Sequence, residues 1–198
     1  MAVAMKDLLQ DRFVLISRWR LDCGIDVAWQ HVSNVRDWPN WWPCVRAVQV
    51  DEDAQHPAAA YTPRAGNRAT IDWKTPLGYG LRLHVTTTRV LAPFELEGVA
   101  CGDLEGHGLW VLQPRHAERT EGLQITYRWD VHLTRRWMRW TSPLLRPLFA
   151  RNHAAVMRNG AGAMARSIGC RLLHCEDFSV SPGVPAQAPH APDPSAWN

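Results

Sequence analysis

The sequence predicts an α+β fold in which a curved antiparallel sheet of six to seven strands wraps around one long helix near the C-terminus. A series of short segments rich in β-branched and aromatic residues, separated by turn signals, runs through most of the chain. One long segment with helical periodicity follows, at residues 142–168. A helix with one apolar face must bury that face, and the sheet is the partner that the chain provides.

The long helix has clear sequence signals at both ends. Ser142 is a candidate N-cap, Pro143 suits the first helical position, where its missing N–H costs nothing, and Gly169 marks the end. Asn152 and His153 lie on the two sides of the apolar face. The face itself combines apolar and small residues at three- and four-residue spacing, namely Leu145, Phe149, Val156, Gly160, Ala163 and Ser167.

The strands and two short helices are predicted from local patterns. After the first strand, Asp26 can cap a helix that reaches Val32, and a second helix or tight turn is expected at residues 34–43, where two prolines prevent a long helix. The last strand alternates most clearly, with Tyr127 and Trp129 on its apolar side. The predicted strands are residues 13–21, 45–50, 68–75, 79–91, 94–102, 104–113 and 123–134.

The length of 198 residues fits one domain with two tails. We expect an N-terminal extension at residues 1–11, the folded domain at residues 12–175, and a Pro/Ala-rich, disordered tail at residues 176–198. The five cysteines are scattered without a CxxC pair, which favours a reducing cytoplasm over a disulfide framework. The first residues do not resemble an export signal, and no apolar run is long enough to span a membrane.

The sequence predicts no cofactor and no metal. Cys170, His174 and Cys175 could in principle be ligands, but they lack a second half-site and are interpreted as incidental. The net charge is only +3 and no nucleic-acid motif is present, so nucleic-acid binding is not expected.

A basic stretch lies around the long helix and contains no acidic residue. It can be ordinary solvated surface, or it can dock weakly onto an acyl carrier protein or an anionic membrane, so that the protein is peripheral to that membrane. Its arginines are Arg135, Arg136, Arg139, Arg146, Arg151, Arg158 and Arg166.

Glycines in two neighbouring strands favour a cavity over a filled core. Gly98 and Gly102 alternate along one strand, and Gly106 and Gly108 along the next. Glycine persists in strands where the sheet bends or where something approaches the backbone closely. The glycines can therefore serve only to coil the sheet around the helix, or they can leave a void walled by aromatic rings. The residues predicted to bind a ligand there are Trp42, Trp73, Leu83, Gly98, Gly106, Trp110, Tyr127, Trp129, Asn152, His153 and Val156.

Over residues 12–170 or so, the sequence resembles the START-like superfamily, also called the SRPBCC or polyketide cyclase/dehydrase group. The segments that carry this resemblance are DWPNWWP at residues 37–43, TPLGY at 75–79, GDLEGHGLW at 102–110, and Asn152-His153 followed by Val156-Met157. They look like bacterial proteins labelled polyketide cyclase. The resemblance implies the helix-grip fold, with an apolar cavity but no shared catalytic set.

Three functions remain open from the sequence. The first is binding or transport of a hydrophobic small molecule, such as a lipid or a polyketide-like compound, without catalysis. The second is a polyketide aromatase/cyclase that catalyses aldol cyclisation and dehydration, with His153 as the acid–base candidate and Tyr127 as a donor to a carbonyl. Against this, His153 can equally be a helix histidine with a local hydrogen bond and no chemistry. The third is a stress-response or protein-interaction module.

Overall fold

The computed structural model describes residues 12–51, 61–117, 120–133 and 136–180, without the side chains of residues 116–121 and 133–146. A short 3₁₀ turn, Val35–Asp37, links the first two helices. The helices and strands are β1 Arg12–Leu21, α1 Ile25–Ser33, α2 Trp38–Trp41, β2 Val45–Val50, β3 Arg68–Lys74, β4 Gly80–Leu91, β5 Glu95–Gly102, β6 Leu104–Ala117, β7 Thr120–Leu133, α3 Arg136–Ile168 and β8 Leu172–Val180.

One antiparallel sheet of eight strands forms the body of the protein, in the order β2-β3-β4-β5-β6-β7-β1-β8. Strands β2 to β7 form a meander, and β1 and β8 close the sheet beyond β7. The curved sheet packs against α3, as the predicted α+β architecture requires. No helix within the described residues is both long enough and apolar enough to cross a bilayer.

The alternation predicted for β7 is confirmed and sets the concave face. Ile125, Trp129 and Val131 are buried, whereas His132 on the opposite face is exposed. Across the strands, Tyr127 pairs with Trp110 on β6 and with Ser17 on β1. Because directly paired residues point to the same side of a sheet, these side chains form one row across the concave face.

The start of the long helix differs from the prediction. Helix α3 begins at Arg136, so Ser142 and Pro143 lie inside it and not at its N-terminus. An interior proline gives up its own backbone hydrogen bond, but the preceding residues can still continue the helix. Ser167 also differs: it is exposed, and its hydroxyl meets Nε2 of His31 on α1 at 3.1 Å.

The eighth strand was not predicted. Strand β8 pairs with β1 and extends beyond Cys175, the predicted end of the domain, to Val180. It lies at one edge of the sheet, and its pairing with β1 is a long-range contact that local sequence pattern does not show. The predicted extension at residues 1–11 and the tail beyond residue 180 lie outside the described residues.

The first short helix is capped differently from the prediction. Gly24 occupies the N-cap position without a side-chain hydrogen bond, and Asp26 lies in the first turn. An acidic residue there still favours the helix, because it interacts with the positive end of the helix dipole.

Candidate functional site

A cavity of about 150 Å³ lies between the concave face of the sheet and α3. The buried side chains of this face form two clusters, one around Trp19 and Trp42 and the other around Phe13 and Leu15. Both clusters contribute to the cavity wall, and Tyr127 packs against both. The cavity therefore lies where the two clusters meet and leave space unfilled.

Aromatic rings form much of the wall. The ring of Tyr127 stacks on Trp110, with the ring centroids 4.3 Å apart and the planes inclined by 29°. Trp42 and Trp73 meet almost perpendicularly, with centroids 5.1 Å apart. Such pairs have few rotamers and hold one another in place, so the wall is largely preformed.

The structure brings together every predicted ligand-binding residue except Gly106. Gly106 serves a different purpose, because a Cβ there would come within 2.8 Å of the Val131 Cα on β7. Two backbones approach closely at this point, and only glycine permits that approach. The other predicted residues, which line the cavity, are Trp42, Trp73, Leu83, Gly98, Trp110, Tyr127, Trp129, Asn152, His153 and Val156.

Gly98 and Gly108 both accommodate groups of a neighbouring strand. Gly98 lines the cavity and pairs across the strands with Gly108. At Gly108 a Cβ would lie 2.8 Å from the Tyr127 hydroxyl oxygen and 3.2 Å from its ring carbon Cε2. Gly108 therefore gives room to the tyrosine ring. At Gly98 a Cβ would lie 3.0 Å from the Thr86 carbonyl oxygen on β4, so this glycine permits a close approach of two strands.

Several cavity residues were missed in the sequence. The pattern could have revealed those that lie two residues from a predicted one on the same strand, since i and i+2 share a face. The distant residues required the folded arrangement. The missed residues that line the cavity include Trp38, Tyr61, Ile71, Leu81, Val85, Leu96, Ala100, Leu104, Phe149 and Met157.

Three cavity residues carry a buried polar atom that lacks a hydrogen-bond partner among the described residues. These atoms are Oδ1 of Asn152, Nε2 of His153 and Nε1 of Trp73. The amide nitrogen of Asn152 is engaged, since it donates to the Tyr79 hydroxyl at 2.9 Å. Because buried polar atoms in proteins nearly always have a partner, these three mark places where a bound molecule can supply one.

No protein-family model and no curated protein matches this chain. Solved structures do match. A START superfamily protein from Mycobacterium smegmatis superposes with a TM-score of 0.59 at 11% identity, covering 79% of this chain and 97% of that one. The fold is the START-like helix-grip fold.

Two other solved structures with similar folds are of proteins named for a biosynthetic role. The Zhui aromatase/cyclase from Streptomyces sp. R1128 gives a TM-score of 0.57 at 12% identity, covering 79% of this chain and 96% of that one. The di-domain ARO/CYC protein BexL, from the BE-7585A biosynthetic pathway, gives 0.60 at 12% identity, covering 82% of this chain and 52% of that one. At such low identities, the similarity establishes the fold alone.

The two catalytic candidates occupy an environment that suits binding better than proton transfer. His153 packs between Tyr127 and Trp129, with ring centroids 6.4 Å and 5.5 Å away, and burial lowers its pKa to about 4. At neutral pH it is uncharged, so it has no extra proton to donate and is a weak base. Burial also raises the pKa of Tyr127 above its usual range, which keeps its hydroxyl protonated.

Proposed function

We propose that this helix-grip protein binds a hydrophobic small molecule in the cavity between its sheet and α3, as a carrier or binding protein. The single observation that carries the proposal is the cavity itself, about 150 Å³ in volume and walled mainly by aromatic and aliphatic side chains. Empty apolar space inside a protein is costly, because the lining atoms lose packing contacts. A ligand of matching shape restores those contacts.

An aromatase/cyclase activity has less support. Similar structures carry that name, but His153 is buried, uncharged at neutral pH and a weak base. Among the described residues that line the cavity, Glu97 is the only carboxylate, and it is engaged with Arg89 at 2.9 Å and His107 at 2.6 Å. General acid–base catalysis of an aldol step needs groups whose pKa values lie near the working pH.

Native mass spectrometry of the purified protein tests the binding proposal. We expect a population with added mass that disappears after organic extraction, and uptake of the probe ANS by the extracted protein. Turnover of a model poly-β-ketone by the extracted protein would instead establish the cyclase alternative. Absence of both co-purified ligand and ANS uptake would overturn the binding proposal and favour an interaction module.

We further propose that loading involves weak docking to an acyl carrier protein or an anionic membrane surface, in the cytoplasm. Of the described side chains in the basic stretch, Arg151 and Arg166 are exposed, whereas Arg158 is paired with Asp177. Co-sedimentation with anionic and neutral vesicles at low and high salt tests the membrane version, because salt screens electrostatic docking. Equal, negligible binding to both vesicle types, with no acidic protein retained in a pull-down, would leave these arginines as solvated surface.

A further inference from the structure

The polar atoms of the cavity restrict the class of molecule that it can hold. This inference rests on the proposed binding function and goes further, because it concerns charge and hydrogen bonding in addition to apolar shape. The relevant side chains are Asn152 and His153 on α3 and Trp73 on β3. Asn152 and His153 are more than nine-tenths buried, with relative exposures of 6% and 9%.

Charge is the first restriction. No lysine or arginine occurs among the described residues that line the cavity, and the Glu97 carboxylate is already paired with Arg89 and His107. His153 is uncharged at neutral pH because burial lowers its pKa to about 4. A carboxylate or phosphate in the cavity would therefore lose its hydration without gaining a cation in return. The cavity selects against anions.

Hydrogen bonding is the second restriction. Oδ1 of Asn152 has no donor within the part of the chain that the structure describes, while Nδ2 of the same amide donates to the Tyr79 hydroxyl. If the amide is rotated by half a turn, the tyrosine can donate to Oδ1, and Nδ2 is then left without an acceptor. One amide atom is unsatisfied in either orientation. Nε2 of His153 also has no partner among the described residues. It needs an acceptor in one tautomer and a donor in the other.

A hydroxyl group can satisfy the free amide atom of Asn152 in either orientation, because it both donates and accepts. A ketone only accepts, so it could pair with the amide only when Nδ2 is the free atom. An ammonium group only donates, so it could pair only when Oδ1 is the free atom. No acceptor for the indole N–H of Trp73 occurs among the described residues, and a hydroxyl oxygen can supply one.

Ring shape is the third restriction. The stacked pair of Trp110 and Tyr127, and the tilted pair of Trp129 and His153, present aromatic faces and edges to the cavity. Aromatic rings pack on one another in offset or edge-to-face arrangements. The volume of about 150 Å³ is similar to that of an engineered cavity, about 150 Å³, that binds benzene.

From these three restrictions we infer that the cavity is a site for a neutral aromatic molecule whose hydroxyl group hydrogen-bonds Asn152, and that it rejects anionic molecules of the same shape. The ligand class is thus phenol-like and uncharged. Fatty acids and aromatic acids are excluded.

Three probes of matched shape test this inference: p-cresol, which carries a hydroxyl, toluene, which carries none, and 4-methylbenzoate, which carries a charge. Their binding to the extracted protein is measured at neutral pH by calorimetry. We expect p-cresol to bind at least tenfold more tightly than toluene, since a site built for a hydroxyl leaves its polar atoms unpaired with the analogue. Binding of 4-methylbenzoate should be undetectable.

Two variants locate the hydroxyl partner. In Asn152→Leu, p-cresol should lose its advantage over toluene, while toluene binds at least as tightly as before. In Tyr79→Phe the advantage should persist, which shows that Asn152 acts directly and not through its bond to Tyr79. If Asn152→Leu does not fold, His153→Leu takes its place and should reduce the p-cresol to toluene ratio.

The outcomes separate this inference from the proposed function. Equal binding of p-cresol and toluene, or tight binding of 4-methylbenzoate, would overturn the inference and leave apolar ligand binding intact. An advantage of p-cresol that survives in a folded Asn152→Leu variant would overturn the assigned partner. If none of the three probes and no ANS binds, the proposed function fails together with the inference.

Discussion

Trp42 on the connection between α2 and β2 packs directly onto Gly160 of α3. Its indole N–H donates to the Val156 carbonyl at 3.2 Å, and a Cβ on Gly160 would lie 2.6 Å from the indole carbon Cζ2. Trp42 is 1% exposed and lies edge-on to Trp19 and Trp110, so it cannot move aside easily. The small residue on the helix face thus seats a tryptophan, and this contact positions α3 against the wall of the cavity.

Gly160→Ala should therefore destabilise the protein, although alanine is the better helix former. Overpacking of a rigid ring costs about 1–3 kcal/mol, against a gain of about 1 kcal/mol from helix propensity. Gly162→Ala on the same helix is the matched control, since its Cβ would meet only the flexible end of Arg166 at 3.4 Å. Urea denaturation should show a lower midpoint for the first variant and an equal or higher one for the second. A stabilised Gly160→Ala variant would contradict the Trp42 contact.

Val156→Phe should fill part of the cavity and weaken ligand binding. Val156 is half-buried and lines the cavity, and a larger ring there would occupy space that a ligand needs. We expect at least a tenfold loss of ANS or p-cresol affinity in a protein that remains folded by circular dichroism. Val27→Phe is the control, because Val27 is 43% exposed on α1 and should leave binding unchanged. Undiminished binding in Val156→Phe would place the site elsewhere.

His153 should make the protein less stable in mild acid. Its pKa falls from an ordinary 6.5 to about 4 on folding, so the unfolded chain takes up the proton first as the pH falls. The free energy of unfolding is therefore unaffected by His153 above about pH 6.5. It decreases as the pH falls toward 4, by about 3 kcal/mol at most. The raised pKa of the buried Asp177 acts in the opposite direction.

A comparison with His153→Leu isolates this contribution. Urea midpoints measured between pH 7 and pH 4.5 should fall more steeply in the wild-type protein than in the variant, because only the wild-type protein has this group to charge. Parallel pH profiles for the two proteins would show that His153 is not a buried, uncharged group in the folded state.

Arg158→Met should loosen α3 from the edge strand β8. Arg158 pairs with Asp177 at 3.1 Å, and the carboxylate, whose side chain is 5% exposed, also accepts a hydrogen bond from the Ser17 hydroxyl at 2.6 Å. Removal of the guanidinium leaves a buried carboxylate without its cation. Since Arg158 is itself largely exposed, we expect a loss of about 1–2 kcal/mol, less than for a fully buried pair.

The exposed Arg151 on the same helix provides the control for this ion pair. Arg151→Met should change the urea midpoint little. An equal loss in both variants would mean that a general charge effect, and not the contact with Asp177, accounts for the result.

Much of the fold follows from local pattern. The antiparallel strands of the meander, the two short helices and the long C-terminal helix all have their own periodicity or turn signals, and the structure contains each of them. The strand parity of β7 correctly placed Tyr127 and Trp129 on the concave face, because alternation along a strand is a local property. Strand β8 lacked such a signal, since it is defined by its pairing with β1.

The sequence by itself determined which residues of β7 face inward, and it placed the aromatic side chains of Tyr127 and Trp129 on the concave face. Only the tertiary structure decided what each small residue accommodates: the β7 backbone at Gly106, the Tyr127 ring at Gly108, Trp42 at Gly160, and the β4 backbone at Gly98. It also decided which polar atoms of Asn152 and His153 have no partner in the described part of the chain. The physical reason is that a glycine in the sequence shows only that a side chain is missing. The group that fills the space belongs to a strand or helix distant in sequence.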